Sequence, residues 1–225
     1  MPNSSKKNTY ASFGGHGVDV ALVRADDLDK LSLEYFSQKN TPPGSQISVL
    51  DLGCGAGGHS VRMARVGLAV TAVDKHDFSK EFKILQEGLE KAQSLEFVCG
   101  DANNLLELLP NRSFDNAYMQ RTLHYLKRED ALSLLTNLHQ IINDALFVSV
   151  MGIKSDAGKG YSGSDVDVDE RFFRLSPESV GKYSIEEPVC LYDEAEFIGL
   201  LEEAGWKVEK CWSSAFGNIK AFCRH

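Results

Sequence analysis

The sequence predicts an α/β fold: a seven-stranded, mostly parallel, doubly wound sheet with a C-terminal antiparallel hairpin. Three observations predict it. Apolar, strand-like runs alternate with helix-like segments from residue 47 to residue 151. A glycine-rich turn stands at the first strand-to-helix junction. The last two strand-like runs are joined by a connection that is too short for a parallel crossover.

Taken in order, residues 1–12 read as disordered, and Phe13–Gly17 reads as a mobile loop because it holds three glycines. Asp26–Gln38 reads as a short helix, with acids in the first turn where the helix dipole favours them. Pro42, Pro43 and Gly44 turn the chain within Thr41–Gln46. The strand-like runs are Ile47–Leu52, Ala69–Val73, Leu95–Cys99, Phe114–Met119 and Ala145–Met151. Between them, Gly58–Val66, Phe78–Ala92, Ala102–Leu109 and Arg128–Ile142 read as helices. The last of these sets Leu132, Leu135, Leu138, Ile141 and Ile142 at helical spacing. Asp193 and Glu196 form a capping-box pair before the helix Ala195–Ala204, which Gly205 stops. The strands Lys207–Trp212 and Ile219–Cys223 follow, joined by Ser213–Asn218. We expect an N-terminal segment and cap helix over 1–46 and a main domain over 47–225, interrupted by an insertion at about 152–192.

Composition narrows the function classes. The net charge is -8 and no long Lys/Arg run is present, which argues against a nucleic-acid partner, since phosphate neutralisation supplies most of that affinity. The longest apolar stretches are too short to span a bilayer, and the polar start lacks the apolar core of a signal peptide. A cytoplasmic protein with no membrane partner is expected. Cys54, Cys99, Cys190, Cys211 and Cys223 are odd in number and form no C-x-x-C pair, so we expect reduced thiols and no metal site.

The informative stretch is Val49-Leu50-Asp51-Leu52-Gly53-Cys54-Gly55-Ala56-Gly57-Gly58, which ends a strand and opens a helix. Glycines let the backbone turn sharply and lie against a ligand. Gly53, Gly55 and Gly58 also satisfy G-x-G-x-x-G, so the glycines alone leave a dinucleotide fold open. Asp51 separates the two readings. A carboxylate at the strand's end suits a ligand that carries a cationic amino acid group.

The D-x-G-x-G-x-G pattern of Asp51–Gly57 resembles motif I of the class I (Rossmann-like) S-adenosylmethionine-dependent methyltransferases. Three further segments resemble that family in order: Thr71–Asp74, Phe97–Ala102, and Phe114–Gln120 followed by Leu123–Leu126. The tail, Glu203–Trp206 and then two strands, is similar to the family's final helix and hairpin. The resemblance implies S-adenosylmethionine as cofactor, with Asp51, Gly53, Cys54, Gly55 and Gly57 forming the glycine loop around it. It implies ribose binding by Asp74, with Lys75 beside it, and adenine contact by Asp101 and Ala102. Met119 and Gln120 end the fourth strand, where their backbone matters more than their side chains.

His124 is the candidate catalytic base, since an imidazole accepts a proton near neutral pH. It also fits a residue that merely begins a helix beside the pocket. His16 is expected to touch the cofactor, His59 to lie at the surface, and Asp115 to be structural. The fourth strand ends in Gln120-Arg121-Thr122, which departs from the [Asp/Asn]-Pro-Pro-aromatic signature of enzymes that methylate the amino groups of bases or of glutamine.

The expected function is methyl transfer to an O, N or S atom of a small-molecule acceptor. A protein- or RNA-directed methyltransferase and a non-catalytic cofactor-binding regulator stay open. Asp51 and the terminal hairpin weigh against an NAD-dependent oxidoreductase. Gly152–Leu191 is far longer than a plain connection of about six residues. With its Gly158, Gly160, Tyr161, Phe172, Phe173 and Tyr183, it is expected to form a substrate lid together with residues 10–40. Within it, Asp165–Glu170 reads as a solvated loop edge rather than a cation or metal site.

Overall fold

The computed structural model describes residues 16–17, 19–39, 45–91 and 93–225. The expected disorder of 1–12, most of the Phe13–Gly17 loop, most of the Thr41–Gln46 turn and Ala92 lie outside the described residues.

Seven strands form one sheet: β1 (Ser48–Leu52), β2 (Ala69–Asp74), β3 (Ser94–Cys99), β4 (Phe114–Gln120), β5 (Ile142–Met151), β6 (Lys207–Ser213) and β7 (Asn218–Arg224). Their order across the sheet is β3-β2-β1-β4-β5-β7-β6. Neighbours are parallel from β3 through β5, and β7 is antiparallel to both β5 and β6. This is the predicted α/β architecture, hairpin included. The chain starts in the middle of the sheet at β1, steps outward to β3, then crosses back to β4. That reversal opens a crevice beyond the C-terminal ends of β1 and β4, the place where open α/β sheets bind ligands.

Because successive side chains point to opposite faces, each inner strand feeds two cores. Val49, Val70, Ala72 and Phe147 pack on one face with Leu28 and Phe36 of α1 (Asp27–Ser37), Val61 and Met63 of α2 (Gly58–Arg65) and Phe82 of α3 (Ser79–Glu87). Leu50, Leu52, Ala117 and Val148 pack on the other. They meet Leu105 of α4 (Leu105–Leu108), Leu134 and Leu138 of α5 (Arg128–Ile141), and Phe197 of α7 (Glu194–Glu203). The Asp193–Glu196 capping box starts α7 as expected.

Several boundaries differ from expectation. The third helix ends at Glu87, with Gly88 as its C-cap. Ala102–Leu109 is broken: Asp101 caps a 3-10 turn at Ala102–Asn104, and only Leu105–Leu108 is α-helical. β5 begins at Ile142, earlier than Ala145, because the chain leaves helical dihedrals at that residue (φ -104°, ψ 131°) and enters the strand with no loop.

The insertion has its own apolar cluster of Tyr161, Leu175, Ile185, Val189 and Leu191. α6 (Pro177–Tyr183) lies within it, capped by Ser176. Buried Arg171 ties it together, donating to Glu196 Oε2 at 2.7 Å and Oε1 at 2.8 Å and to the carbonyls of Val166 and Leu191. Asp165–Glu170 forms turns, with its four acids exposed. No described helix is long and apolar enough to cross a membrane.

Candidate active site

A cavity of about 1140 Å³ fills the crevice at the C-terminal ends of β1, β2 and β4. Its floor is the glycine loop. Gly53 N and Cys54 N donate to Val73 O at 2.8 and 3.2 Å, and Gly55 N donates to Asp74 Oδ2 at 3.0 Å. Two glycines here are obligatory. A Cβ on Gly53 would stand 1.9 Å from Thr122 Oγ1, and one on Gly57 would stand 2.7 Å from the Phe82 ring, each at positive φ.

Two carboxylates face this loop. Asp74 is held by His76 N, which donates to its Oδ1 at 2.9 Å. Asp51 is 3 % exposed and accepts from Ser60 Oγ at 2.5 Å. Burial pushes its pKa up to about 7 against that hydrogen bond, and the charges of Asp29, Asp74 and Asp19 push the same way. Asp19 also accepts from Ala56 N at 3.1 Å. A site that gathers this many acids around exposed backbone is suited to a cationic guest.

The expected site residues divide into two groups. Asp51, Gly53, Cys54, Gly55, Asp74, Lys75, Asp101, Ala102, Gln120 and His124 line the cavity, as does His16. Gly57 and Met119 do not. Gly57 packs against α3, and Met119 is fully buried in the core beneath the floor. Asp101 accepts from Asn103 N at 2.9 Å, and Lys75 Nζ lies 2.6 Å from His16 Nε2. The Gln120 amide donates to Asp26.

His124 is buried, and neither ring nitrogen has a hydrogen-bond partner among the described residues. Burial, with help from the charge of Arg121, lowers its pKa to about 3, so the ring is neutral. Asp115 is structural as expected: both Ser48 N and Ser48 Oγ donate to its Oδ2, at 2.7 and 2.8 Å.

The surface assignment of His59 is corrected. The residue is 3 % exposed, packs on Tyr118 with ring centroids 4.2 Å apart, and sits 3.1 Å from Ser32 Oγ. Burial lowers its pKa to about 4. The legible signal was its i, i+4 spacing from buried Met63, which puts both on the inward face of α2.

Sequence reasoning missed three residues at the other end of the cavity. Lys220 is 2 % exposed on β7 and pairs with Asp26 at 2.7 Å and with Asp27. Asp26 caps α1 and also takes the Gln120 bond. Arg121 has φ 55°, in the left-handed region. A lysine inside the apolar run Ile219–Phe222 was a readable anomaly. Nothing in the sequence marked the other two.

A short strap, His16–Gly17, ties the N-terminal segment to the insertion at the cavity wall. His16 bridges to Ile185, Gly17 N donates to Ser184 O at 2.9 Å, and Tyr125 Oη donates to His16 O at 2.7 Å. The insertion reaches the cavity through Ser155, Ala157 and Lys182–Ile185, whereas Tyr161 and Phe172 turn inward to packing. The described residues hold no cluster able to bind a metal ion.

A family model described as "Methyltransferase domain" matches residues 49–145, the span from β1 to the start of β5 that carries the glycine loop and both carboxylates. Over that span the chain is similar to a methyltransferase domain, the kind of family its motifs were likened to. Solved proteins of the same fold hold bound SAM or SAH.

Solved structures of methyltransferases share the fold. Magnesium protoporphyrin IX methyltransferase from Synechocystis PCC 6803, with bound SAH, aligns with a TM-score of 0.63 at 17% identity, over 88% of this chain and 81% of that one. The Burkholderia thailandensis 1,6-didemethyltoxoflavin-N1-methyltransferase aligns with a TM-score of 0.64 at 17% identity, over 91% and 78%. A SAM dependent methyltransferase from Aquifex aeolicus aligns with a TM-score of 0.59 at 21% identity, over 92% and 93%. No curated protein matches the sequence.

Proposed function

We propose that this methyltransferase moves a methyl group from S-adenosylmethionine to an O, N or S atom of a small molecule held in the same cavity. The observation that carries the reading is the cavity's lining, which joins the glycine loop and both carboxylates to residues of the N-terminal segment and of the insertion. Its volume is about 1140 Å³, and His16, Gly17, Ser155, Ala157 and Lys182–Ile185 stand on its wall. Drug-sized ligand pockets run to roughly 300–1,000 Å³, so this cavity suits a nucleoside cofactor with a compact acceptor beside it.

In this reading Asp51 faces the cofactor's α-ammonium group, and the backbone of Gly53, Cys54 and Gly55 lies along its amino acid part. Gly57 fixes the turn from behind. Asp74 accepts from the ribose hydroxyls with Lys75 next to it, and Asp101 and Ala102 border the adenine. Gln120, with the backbone of Met119, borders the reacting end. The bound cofactor supplies an electrophilic methyl on a sulfonium. The protein's part is to hold a nucleophile in line with it and keep water out, which positioning alone does efficiently. His124, neutral and without a partner, is placed to accept a hydrogen bond from the acceptor's nucleophile; at a pKa of about 3 it does not keep the proton, which passes on to solvent.

The proposed division is a cap over 1–46, a methyltransferase domain over 47–225 and a substrate wall at about 152–192. The unpaired cysteines suit a reducing, cytoplasmic setting.

The test is calorimetric titration with S-adenosylmethionine and S-adenosylhomocysteine, then a screen of metabolites, peptides and tRNA for methyl acceptance. Failure to bind either nucleotide defeats the cofactor assignments. Methylation confined to peptides or tRNA defeats the small-molecule reading.

A further inference from the structure

The basic side chains around the cavity differ in one respect. Lys220 is held by Asp26 and Asp27, Lys182 by Asp156, and Lys75 lies against His16. Arg24 sits exposed over the Phe216 ring. Arg121 is different. It lines the cavity, yet no hydrogen bond or ion pair engages its guanidinium among the described residues, and its Nε is buried without a partner. A half-buried guanidinium with an unanswered donor is costly unless something else answers it.

The backbone has been bent to put it there. Arg121 adopts φ 55°, which side-chain-bearing residues rarely take, and its N–H is pinned by Ser149 O at 3.1 Å and Ser149 Oγ at 3.0 Å. Strain of this kind at a cavity wall points to a function for the side chain it aims. Next to it stands His124, buried, with both ring nitrogens also unpartnered. The cavity's lining also includes Tyr125, Met151, Ala157, Tyr183 and Ile185, interspersed with Ser155, Lys182 and Ser184.

We propose that Arg121 docks a carboxylate of the methyl acceptor, and that the acceptor is an otherwise apolar or aromatic acid. The proposal deepens the small-molecule reading above and rests on it. A planar guanidinium receives a carboxylate through two parallel N–H···O bonds, which orients the acceptor as well as holding it. The apolar and aromatic side chains of that lining cover the remainder. Arg121 acts in recognition, and the atom that receives the methyl is a separate question. The cofactor's own amino acid group also ends in a carboxylate, and the experiment distinguishes the two.

Benzoate, phenylacetate and octanoate, each paired with its neutral amide, are titrated into the protein with and without saturating S-adenosylhomocysteine, reading the thermal midpoint. At least one acid is expected to bind about tenfold more tightly than its amide, as a charge-assisted bidentate contact implies. In Arg121→Gln that preference should disappear, and Arg121→Lys should restore only part of it, because an ammonium lacks the fork. S-adenosylhomocysteine affinity should stay within about threefold of wild type in both variants. Equal binding of acid and amide by the wild type, or a preference that survives in Arg121→Gln, overturns the proposal. Loss of nucleotide affinity in Arg121→Gln also overturns it, by assigning the guanidinium to the cofactor. If the wild type fails to bind the nucleotide at all, the methyltransferase site assignment fails, while the acid-over-amide comparison without nucleotide still decides the role of Arg121. Unfolding curves of both variants confirm that they fold.

Discussion

The floor of the cavity is made of backbone. Gly53, Cys54 and Gly55 are held by main-chain and carboxylate bonds to β2, and the turn's shape is set by what would collide with a Cβ. The far wall is made of side chains reaching between distant segments: Lys220 to Asp26 and Asp27, Gln120 to Asp26, and Tyr125 to the strap. The first construction is rigid and local. The second depends on a few polar contacts, each replaceable. That contrast suits a site whose one ligand is common to a whole family and whose other ligand is particular to this chain.

Five substitutions or titrations sharpen the contrast. Gly57→Ala puts a methyl against Phe82 and Leu85 at φ 83° and should destabilise the fold by about 3 kcal/mol in chemical denaturation, combining overpacking with backbone strain. A loss below 1 kcal/mol would show that the loop yields. Asp74→Ala removes the acceptor of Gly55 N and His76 N, and should weaken S-adenosylhomocysteine binding about 100-fold by calorimetry, as charge-assisted bonds imply. Lys220→Met leaves Asp26 and Asp27 without their cation and should cost about 2 kcal/mol, less than for a fully buried pair because both acids are partly exposed. Its nucleotide affinity should barely move. A loss as large as that of Asp74→Ala would erase the distinction between the two ends.

The fourth test uses pH. Burial raises Asp51 from 3.8 to about 7, so the folded chain keeps a proton that the unfolded chain releases. This group therefore stabilises the fold most at low pH, and its contribution falls as pH rises from about 4 to 7. Binding of a cationic ligand favours the ionised form. Affinity for S-adenosylhomocysteine should then climb about tenfold per pH unit up to 7 and level off above it, and Asp51→Asn should flatten the profile. A flat wild-type profile would remove Asp51 from contact with the ammonium. The smallest effect is expected from Phe216→Ser at the exposed hairpin tip, within about 0.5 kcal/mol of wild-type stability by denaturation.

The strand order and terminal hairpin were legible because periodicity and loop length are local properties. The glycine loop was legible because its glycines are forced by close approach. Local signals run out where a residue's direction depends on a distant partner. Motif matching cannot tell that Gly57 faces α3 or that Met119 faces the core, although both lie among residues that line the cavity. His59 was misjudged because its burial comes from α1, whose Ser32 and Asp29 meet it across 27 and 30 residues. The far wall was the least legible part. Asp26 looks like an ordinary surface charge, and Lys220 like an anomaly with no partner in view, until β7 is placed next to β5. Of the aromatic residues in the insertion that was expected to form a lid with residues 10–40, Tyr183 lines the cavity, whereas Tyr161 packs into the insertion's own small core.

The Lys220 contacts join residues 193 and 194 positions apart in the sequence. Pairings of such separation form late, since the whole intervening loop has to be ordered first. A nascent chain will have β1 to β4 and their glycine turn in place well before β7 slots between β5 and β6. The glycine-loop end of the cavity is thus built early in folding, and the Asp26–Lys220 wall is completed only when the last strand docks.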